Sequence, residues 1–160
     1  MPPDSAVSLS MAERHAIEWE CASNTVRFYN RLDAVRGEEA AALFAEDGMW
    51  YRDGDESAFT GRAEIAAHVN KLPERGNPAV AQEDRMVFHL VNNIEVTIVD
   101  AQTAEVRALT CVIPGARGKD GKPGSTRGIT AVFPTVEIHK KTAEGWKIAS
   151  KKTQLALRVG

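Results

Sequence analysis

The apolar positions of the chain recur at helical spacing in its first half and at strand spacing in its second half. Ser10 and Glu13 have the arrangement of a capping box, in which each side chain can bond the backbone N–H of the other. A stripe of apolar residues at helical spacing follows, formed by Ile17, Cys21, Phe28 and Leu32. This pattern predicts a long first helix with one buried face, and it places Tyr29 and Asp33 four residues apart on a neighbouring face near the helix C-terminus.

Two shorter helices are predicted next, on either side of a strand. Residues 37–48 (GEEAAALFAEDG) are rich in alanine and end with Asp-Gly, a common helix stop. The strand MWYR covers residues 49–52 and leads into a polar loop. Residues 60–72 (TGRAEIAAHVNKL) predict the third helix, which Thr60 caps and which stops before Pro73.

From residue 86 onward the apolar period changes to two, which predicts strands. Four strands are expected, over residues 86–99, 104–113, 129–141 and 146–157. Short turns connect the first two and the last two of these strands, whereas the Gly- and Pro-rich residues 114–128 predict a mobile hairpin loop. Helices followed by a strand meander are typical of an α+β fold, and a curved mixed or antiparallel sheet wrapped around three N-terminal helices would bury both apolar sets.

The strand FHLVNNIEV carries polar residues at its centre. One parity holds its apolar residues, Phe88, Leu90, Ile94 and Val96. His89 and Asn93 share the other parity and would line one surface if the strand is regular, while Asn92 is interpreted as a bulge. The polar residues therefore belong either to a half-solvated strand or to the wall of a pocket.

Length and composition favour one globular domain. The 160 residues are 43% hydrophobic and are expected to form a single domain over residues 1–160, with a flexible N-terminus at residues 1–9. The charged residues are spread along the chain and sum to −2, which argues against nucleic acid as a partner. Two cysteines without metal-ligand spacing predict reduced thiols and a cytoplasmic protein, and the lack of a long apolar run argues against a membrane partner.

Two further expectations concern cofactors and assembly. The sequence has no cluster of His, Cys and Asp at metal-ligand spacing and no dinucleotide-binding fingerprint, so we expect activity to need no metal and no organic cofactor. The predicted strand at residues 129–141 has Val132, Val136 and Ile138 on one parity and Phe133 on the other. Because both faces are apolar, we expect a homo-oligomer, either a dimer or a trimer, that buries the outer face of the sheet.

Four features of the chain occur together in a recognisable order. They are Tyr29 and Asp33 at the end of the first helix, the FAEDG turn into a strand, the G-R-x-x-I start of the third helix, and the H-L-x-x-N strand. In this order they resemble the SnoaL-like and scytalone dehydratase-like branch of the nuclear transport factor 2-like superfamily, over residues 13–157. The resemblance implies a cone of one curved sheet and three helices, with an apolar internal pocket and acid/base groups at its mouth. It does not determine the reaction, because one fold hosts many activities.

The resemblance to the dehydratases also implies a set of catalytic residues. It places His89 on the pocket wall, with Asp33 as its hydrogen-bond partner. An imidazole titrates near neutral pH, and a carboxylate partner fixes its tautomer and raises its basicity for proton abstraction. Tyr29 or Tyr51 would then provide a phenol to a substrate carbonyl oxygen as that oxygen gains negative charge.

This sequence departs from the dehydratase pattern at one position. The dehydratases are expected to carry a second pocket histidine on the next strand, where Thr110 or Cys111 stands here. Scytalone itself is therefore not the expected substrate. Thr110 and Cys111 are instead expected to contact the substrate together with Asn93, Trp50 and Phe28.

Other polar and aromatic residues are weaker candidates. Asp53 and Asp55 are an alternative base, because the ketosteroid isomerase branch of the superfamily carries its base just after the first strand. The remaining histidines are interpreted as surface or packing residues: His15, His68 and His139. The tryptophans Trp19, Trp50 and Trp146 are interpreted mainly as core or interface aromatics.

Two classes of function remain open on the sequence. The first is a cofactor-independent lyase or isomerase, with dehydratase-like acid/base chemistry, acting on a small cyclic or polycyclic apolar molecule. The second is a non-catalytic domain of the same fold that binds a small ligand or a protein partner. A buried and mutually bonded Asp33 and His89 would favour the first class, whereas a cone filled by its own side chains would favour the second.

Overall fold

The computed structural model of the protein describes residues 9–52, 58–154 and 156–158 and shows three α-helices packed on one mixed, open sheet. The helices are α1 (Met11–Asp33), α2 (Gly37–Ala41) and α3 (Gly61–Asn70), and two 3₁₀ turns follow α3 at Leu72–Arg75 and Gln82–Asp84. The strands are β1 (Phe44–Tyr51), β2 (Ala58–Thr60), β3 (Arg85–Asp100), β4 (Thr103–Ala116), β5 (Ser125–Thr126), β6 (Ala131–Thr142), β7 (Gly145–Thr153) and β8 (Leu157–Arg158). The predicted α+β cone is thereby confirmed.

The described strands follow the order β2-β1-β7-β6-β4-β3, with β5 added to β4 and β8 added to β6. Neighbouring strands pair antiparallel except β1 and β7, which run parallel. Helix α1 lies across β3, β4 and β7, while α2 and α3 pack on each other and α3 packs on β1. The helices therefore occupy one side of the sheet, and the other side is its outer face.

Helix α1 begins and packs as its sequence predicts. The capping box is formed, with the backbone N–H of Ser10 donating to Glu13 at 2.8 Å and the backbone N–H of Glu13 donating to the Ser10 hydroxyl at 3.3 Å. The predicted apolar stripe is buried: Ile17, Cys21, Phe28 and Leu32. Asp33 is the last residue of the helix, so its carboxylate leaves α1 where the chain turns towards α2.

Helix α2 is shorter than the alanine-rich stretch predicts. It ends at Ala41, and the chain enters β1 at Phe44, so the predicted helix over residues 37–48 is wrong in its second half. The parallel ladder with β7 begins at once, because Phe44 pairs with Ile148 and the Ile148 N–H donates to the Leu43 carbonyl at 2.9 Å. Helix propensity is a weak preference, and here the sheet pairing and the burial of Phe44 outweigh it.

A bulge divides β3 into two halves. Odd-numbered residues face the helices before the bulge, and even-numbered residues face them after it. The pairing with β4 shifts register between Asn92 and Glu95, and Asn93 has a left-handed φ of 51°. Before the bulge Val91 packs towards the helices, whereas after it Ile94, Val96 and Ile98 do. The strand is therefore not regular, and Asn93 is exposed at the bulge. The bulge also leaves Phe88 and Leu90 on the outer face, about half exposed at 50% and 48%.

Strand β6 turns its polar residues towards the helices. Glu137 and His139 are fully buried, while their neighbours Val136 and Ile138 face outward and are half-buried. His139, interpreted as a surface or packing residue, is thus a buried packing residue. Glu137 is buried at no loss of hydrogen bonding, because it accepts from Lys151 of β7 at 2.5 Å, from Thr25 of α1 at 2.7 Å and from His139 at 2.8 Å.

Two apolar clusters flank this polar group along α1. One lies around Phe28 and includes Trp50, Phe44, Ile65 and Val69, and the other lies around Cys21 and includes Ile17, Val106 and Trp146. Both cysteines are free thiols, and burial raises the pKa of Cys21 to about 12. Trp19 is not a core residue, because it is 64% exposed in the single chain.

One predicted segment lies largely outside the described residues, and a second is described throughout. The flexible N-terminus predicted at residues 1–9 is the first of these. Of the hairpin loop predicted at residues 114–128, the first three residues continue β4, and Ser125–Thr126 forms β5, which pairs back onto β4. No helix among the described residues has the length and apolar character needed to span a membrane.

Candidate active site

A cavity of about 600 Å³ opens where the C-terminal end of α1 meets the helix-facing side of the sheet. Its apolar wall comes from α1, the turn after α3, and strands β3, β4 and β6: Leu32, Leu72, Val87, Val112, Ala131 and Phe133. Its polar wall includes Tyr29, Asp33, His68 and His89. A cavity of this size holds a drug-sized ligand, and a mostly apolar wall with a few convergent polar groups is typical of small-molecule sites.

Asp33 binds His89 at two points. One carboxylate oxygen, Oδ1, lies 2.5 Å from the imidazole Nδ1, and the other, Oδ2, accepts the backbone N–H of His89 at 2.8 Å. Both side chains are largely buried, at 16% and 13% exposure. The sequence is therefore right to pair these residues, and the structure adds the backbone bond, which holds the strand as well as the ring.

This pairing determines which imidazole nitrogen can act on a ligand. A carboxylate accepts hydrogen bonds and does not donate, so the bond to Asp33 assigns a proton to Nδ1 of His89. Nε2 then carries the lone pair, and within the described residues it has no hydrogen-bond partner. Because His89 belongs to the cavity wall, this is the arrangement of a general base whose orientation is fixed by a carboxylate.

Tyr29 packs beside His89 and is anchored from behind. The two ring centres are 5.3 Å apart, with the ring planes tilted by 34°. The Tyr29 hydroxyl accepts from Thr110 at 3.2 Å and bonds Thr135, also at 3.2 Å. Either hydroxyl of the pair Tyr29 and Thr135 can be the donor. Tyr29 thus lines the cavity, and its hydroxyl is held in a buried network.

The remaining predicted contact residues divide into those near the cavity and those away from it. Trp50 belongs to the wall. Thr110 lies one layer behind, under Tyr29, and Phe28 is fully buried in the core against Trp50 and Tyr29. Neither Thr110 nor Phe28 is part of the wall, because the Tyr29 ring and the core lie between them and the open space.

Three further predicted residues do not face the cavity. Tyr51 follows Trp50 on β1 and points to the opposite side, where its hydroxyl donates to the sulfur of Met49 at 3.1 Å. Cys111 lies between two inward residues of β4 and faces outward beside Leu90. Asn93 is exposed at the bulge, so the condition of a regular strand, on which its pocket role depended, is not met.

His68 is a wall residue that the sequence interpretation missed. It is 5% exposed, stacks on Phe59 with ring centres 4.0 Å apart, and meets Trp50 edge-on at 5.2 Å. Burial, with added repulsion from Arg52 and Arg75, lowers the pKa of His68 to about 4, so its imidazole is neutral at neutral pH. The available signal was helical spacing, because Ile65, His68 and Val69 share the buried face of α3.

A buried ion pair lies directly behind the Tyr29 ring. The ammonium nitrogen of Lys151 is 4.4 Å from the ring centre of Tyr29 and 4.8 Å from that of Phe28. Burial alone would raise the pKa of Glu137, but the charge of Lys151 and the bond from His139 outweigh burial and lower that pKa to about 2. Burial would likewise lower the pKa of Lys151, yet the Glu137 carboxylate raises it. Both groups are therefore charged around neutral pH.

Asp53 and Asp55, the alternative base, lie outside the described residues. In the described part of the chain, no three side chains of the His, Cys, Asp and Glu types come together as a metal-binding group.

The cone of three helices and one mixed, open sheet is the nuclear transport factor 2-like, or cystatin-like, fold. The sequence profile of the SnoaL-like domain matches residues 14–152, and the protein belongs to this family. No functionally curated protein matches the sequence.

Several solved structures share the fold at low sequence identity. An NTF2-like protein with a cystatin-like fold from Novosphingobium aromaticivorans has a TM-score of 0.70 at 23% identity, covering 96% of this chain and 91% of that one. A protein provisionally assigned as a scytalone dehydratase, from the same organism, has a TM-score of 0.71 at 19% identity, with 94% and 91% covered. ActVI-ORFA from Streptomyces coelicolor has a TM-score of 0.69 at 16% identity, with 88% and 97% covered.

Proposed function

We propose that this protein is a cofactor-independent lyase or isomerase that moves a proton on a small cyclic or polycyclic apolar molecule. The proposal rests mainly on the bond between Asp33 and His89 in the wall of an open cavity. Family membership supports the same class, because SnoaL-like proteins include polyketide cyclases and isomerases. The largely unfilled cone favours this class over a domain whose interior is closed by its own side chains.

In the proposed reaction, His89 Nε2 removes a proton from a carbon atom next to a substrate carbonyl group. The C–H electron pair moves into the carbonyl group and forms an enolate, while His89 becomes an imidazolium ion. Asp33 stabilises that ion through Nδ1–H and keeps the ring aimed at the cavity. Return of the proton to a different carbon completes an isomerisation, and its transfer to a departing hydroxyl group releases water and completes a dehydration.

The apolar wall supports a substrate with ring carbons in contact with the sheet. Val112 pairs with His89 from the neighbouring strand β4, and Phe133 lies on β6, the next strand of the sheet; both belong to the cavity wall. A flat hydrocarbon ring packed against these side chains would be held with its edge towards the imidazole. Holding the reacting carbon close to the base converts a bimolecular proton transfer into an intramolecular one.

The proposal is tested with a generic cyclic ketone rather than with the unknown natural substrate. Exchange of the α-protons of 2-tetralone in D₂O, followed by ¹H NMR, measures proton abstraction directly. The wild-type protein is expected to accelerate the exchange. His89→Ala is expected to lower the catalysed exchange rate by about two to four orders of magnitude. Equal exchange rates with wild-type protein, His89→Ala and buffer alone would leave the non-catalytic binding domain as the better description.

A further inference from the structure

Two nitrogen atoms in the cavity wall have no hydrogen-bond partner among the described residues. They are Nε1 of Trp50 and Nε2 of His68, both buried, on side chains that are 6% and 5% exposed. Trp50 and His68 contact each other, and both belong to the wall. Buried polar groups in proteins are nearly always satisfied, so two adjacent exceptions in one cavity wall indicate a partner from outside the chain.

The chemistry of these nitrogens restricts what that partner can be. An indole N–H is a donor only, so Trp50 requires an acceptor. A neutral imidazole carries one N–H, and in the Nε2–H tautomer His68 also donates. Two neighbouring donors together fit an atom group with several acceptor lone pairs, as in a carboxylate.

The charges around the cavity favour an anionic acceptor over a neutral one. Four arginines belong to the wall: Arg52, Arg75, Arg85 and Arg158. Asp33 is the one acid among the described wall residues, and it is bonded to His89. Arg85 donates to the carbonyl groups of Val80 and Pro73, which fixes the guanidinium without neutralising it. In the described part of the chain, neither Arg75 nor Arg85 forms a salt bridge.

We propose that Trp50 and His68 bind a carboxylate group of the substrate, and that the substrate is a cyclic or polycyclic carboxylic acid. This inference rests on the proposed function for the reacting end of the molecule. The ring system contacts the apolar wall and reaches His89 at one side, while its carboxylate lies between Trp50 and His68 in the field of Arg75 and Arg85. Trp50 and His68 are thus specificity residues, and His89 remains the base.

The test compares two probes that differ in the acidic group. They are 2-naphthoate and 2-acetylnaphthalene, and binding of each is measured by isothermal titration calorimetry. Wild-type protein is expected to bind 2-naphthoate at least about tenfold more tightly than the ketone, the usual worth of hydrogen bonds to a charged group. The variants Trp50→Phe and His68→Phe, which keep an aromatic ring in place, are each expected to weaken 2-naphthoate binding about tenfold and to leave the ketone unchanged.

Three further variants separate charge, donor and folding effects. His68→Gln can place an amide N–H near the position of Nε2 and is expected to retain most of the affinity. Arg75→Ala is expected to weaken 2-naphthoate binding, whereas Arg14→Ala, an equal charge change at an exposed position of α1, is not. His68→Phe is also expected to raise the melting temperature of the free protein, because it removes an unsatisfied buried atom.

The outcome does not depend on turnover. Wild-type protein that binds 2-naphthoate but does not accelerate ketone proton exchange would overturn the proposed reaction and keep the carboxylate site. Equal affinity of wild-type protein for the two probes, or unchanged 2-naphthoate affinity in both Trp50→Phe and His68→Phe, would overturn the carboxylate site. Failure of 2-naphthoate to bind at millimolar concentration would do the same.

Discussion

Asp33 and His89 are 56 positions apart in the chain, and one carboxylate holds both the backbone N–H and the imidazole Nδ1 of the histidine. The two bonds join the last residue of α1 to the part of β3 that precedes the bulge. A single side chain therefore couples the position of the strand to the orientation of the ring. This coupling fixes the orientation of the imidazole in the cavity wall before any ligand binds.

Asp33→Asn is expected to lower proton exchange on 2-tetralone by less than His89→Ala does. The amide oxygen can still accept the backbone N–H of His89, but the uncharged group cannot stabilise the imidazolium ion that forms during the reaction. ¹H NMR exchange rates of the two variants provide the comparison. His15→Ala, at an exposed position of α1, is the matched histidine control and should exchange at the wild-type rate. A rate for Asp33→Asn equal to that of wild type would show that the carboxylate is not needed.

Removing only one charge of the buried pair Glu137 and Lys151 is expected to lower the free energy of unfolding strongly. Lys151→Met leaves the Glu137 carboxylate buried with its charge uncompensated, and the expected loss of unfolding free energy is about 3 to 5 kcal/mol. The double variant Glu137→Gln with Lys151→Met removes both charges and should lose less than the sum of the two single changes. Urea unfolding followed by circular dichroism measures all three variants. Additive losses would mean that the two side chains are not coupled.

Glu137 should also contribute to the stability of the protein against acid. Its pKa is lowered from 4.5 to about 2 in the folded protein, so the unfolded chain binds more protons than the folded one in that interval. The stabilising contribution is fully present above pH 4.5 and is lost as the pH falls towards 2. Glu137→Gln should flatten this part of the stability profile. Urea midpoints between pH 2 and pH 5 that fall equally steeply for the variant and for wild type would contradict the assignment.

His68 should make the stability of the protein depend on pH over a higher interval than Glu137 does. The cause is burial of the imidazole instead of an ion pair. Burial holds its pKa at about 4 instead of 6.5, so the protonated form is disfavoured by folding. Between pH 6.5 and 4 the unfolded chain takes up a proton that the folded protein refuses, and wild-type stability should fall across this interval. His68→Phe cannot take up this proton and should show a flatter profile there. The measurement is the urea midpoint at pH 7 and at pH 4.5, with His15→Phe as control.

We propose that the outer face of the sheet is buried in a homodimer. An apolar row crosses four strands through consecutive pairings, formed by Leu90, Cys111, Val132 and Leu157. Its two ends, Leu90 and Leu157, are 48% and 63% exposed in the single chain. Light scattering should give about twice the chain mass of 17.4 kDa, and Leu90→Glu should give the monomer mass.

Met11→Glu is the control for this assembly. Met11 is 71% exposed at the start of α1, on the helix side of the molecule, so the added charge should leave the mass unchanged. A monomer mass for the wild-type protein at micromolar concentration would contradict the proposed dimer.

The sequence by itself determined the architecture, because the architecture depends on local periods and caps. The capping box of Ser10, the stripe at Ile17 to Leu32 and the alternation after residue 86 are each decided within a few residues, and each is present in the structure. The pairing of Asp33 with His89 was also predicted, from a motif order that the family shares. The cap, the stripe and the alternation need no knowledge of which distant segments meet, whereas the contact between Asp33 and His89 was predicted only through the resemblance to the family.

Only the tertiary structure decided which side each strand residue faces and which polar residues are buried. The bulge at Asn93 reverses the facing of β3, so Ile94 packs on α1 although it shares the parity of the exposed Leu90. Glu137 can be buried only because Thr25 and Lys151 arrive from two other elements, and without them its burial would be prohibitive. His68 likewise joins the cavity wall because α3 happens to pack on β1. Local alternation cannot reveal such facts, because the free energy of placing a charge or a ring depends on partners far away in the chain.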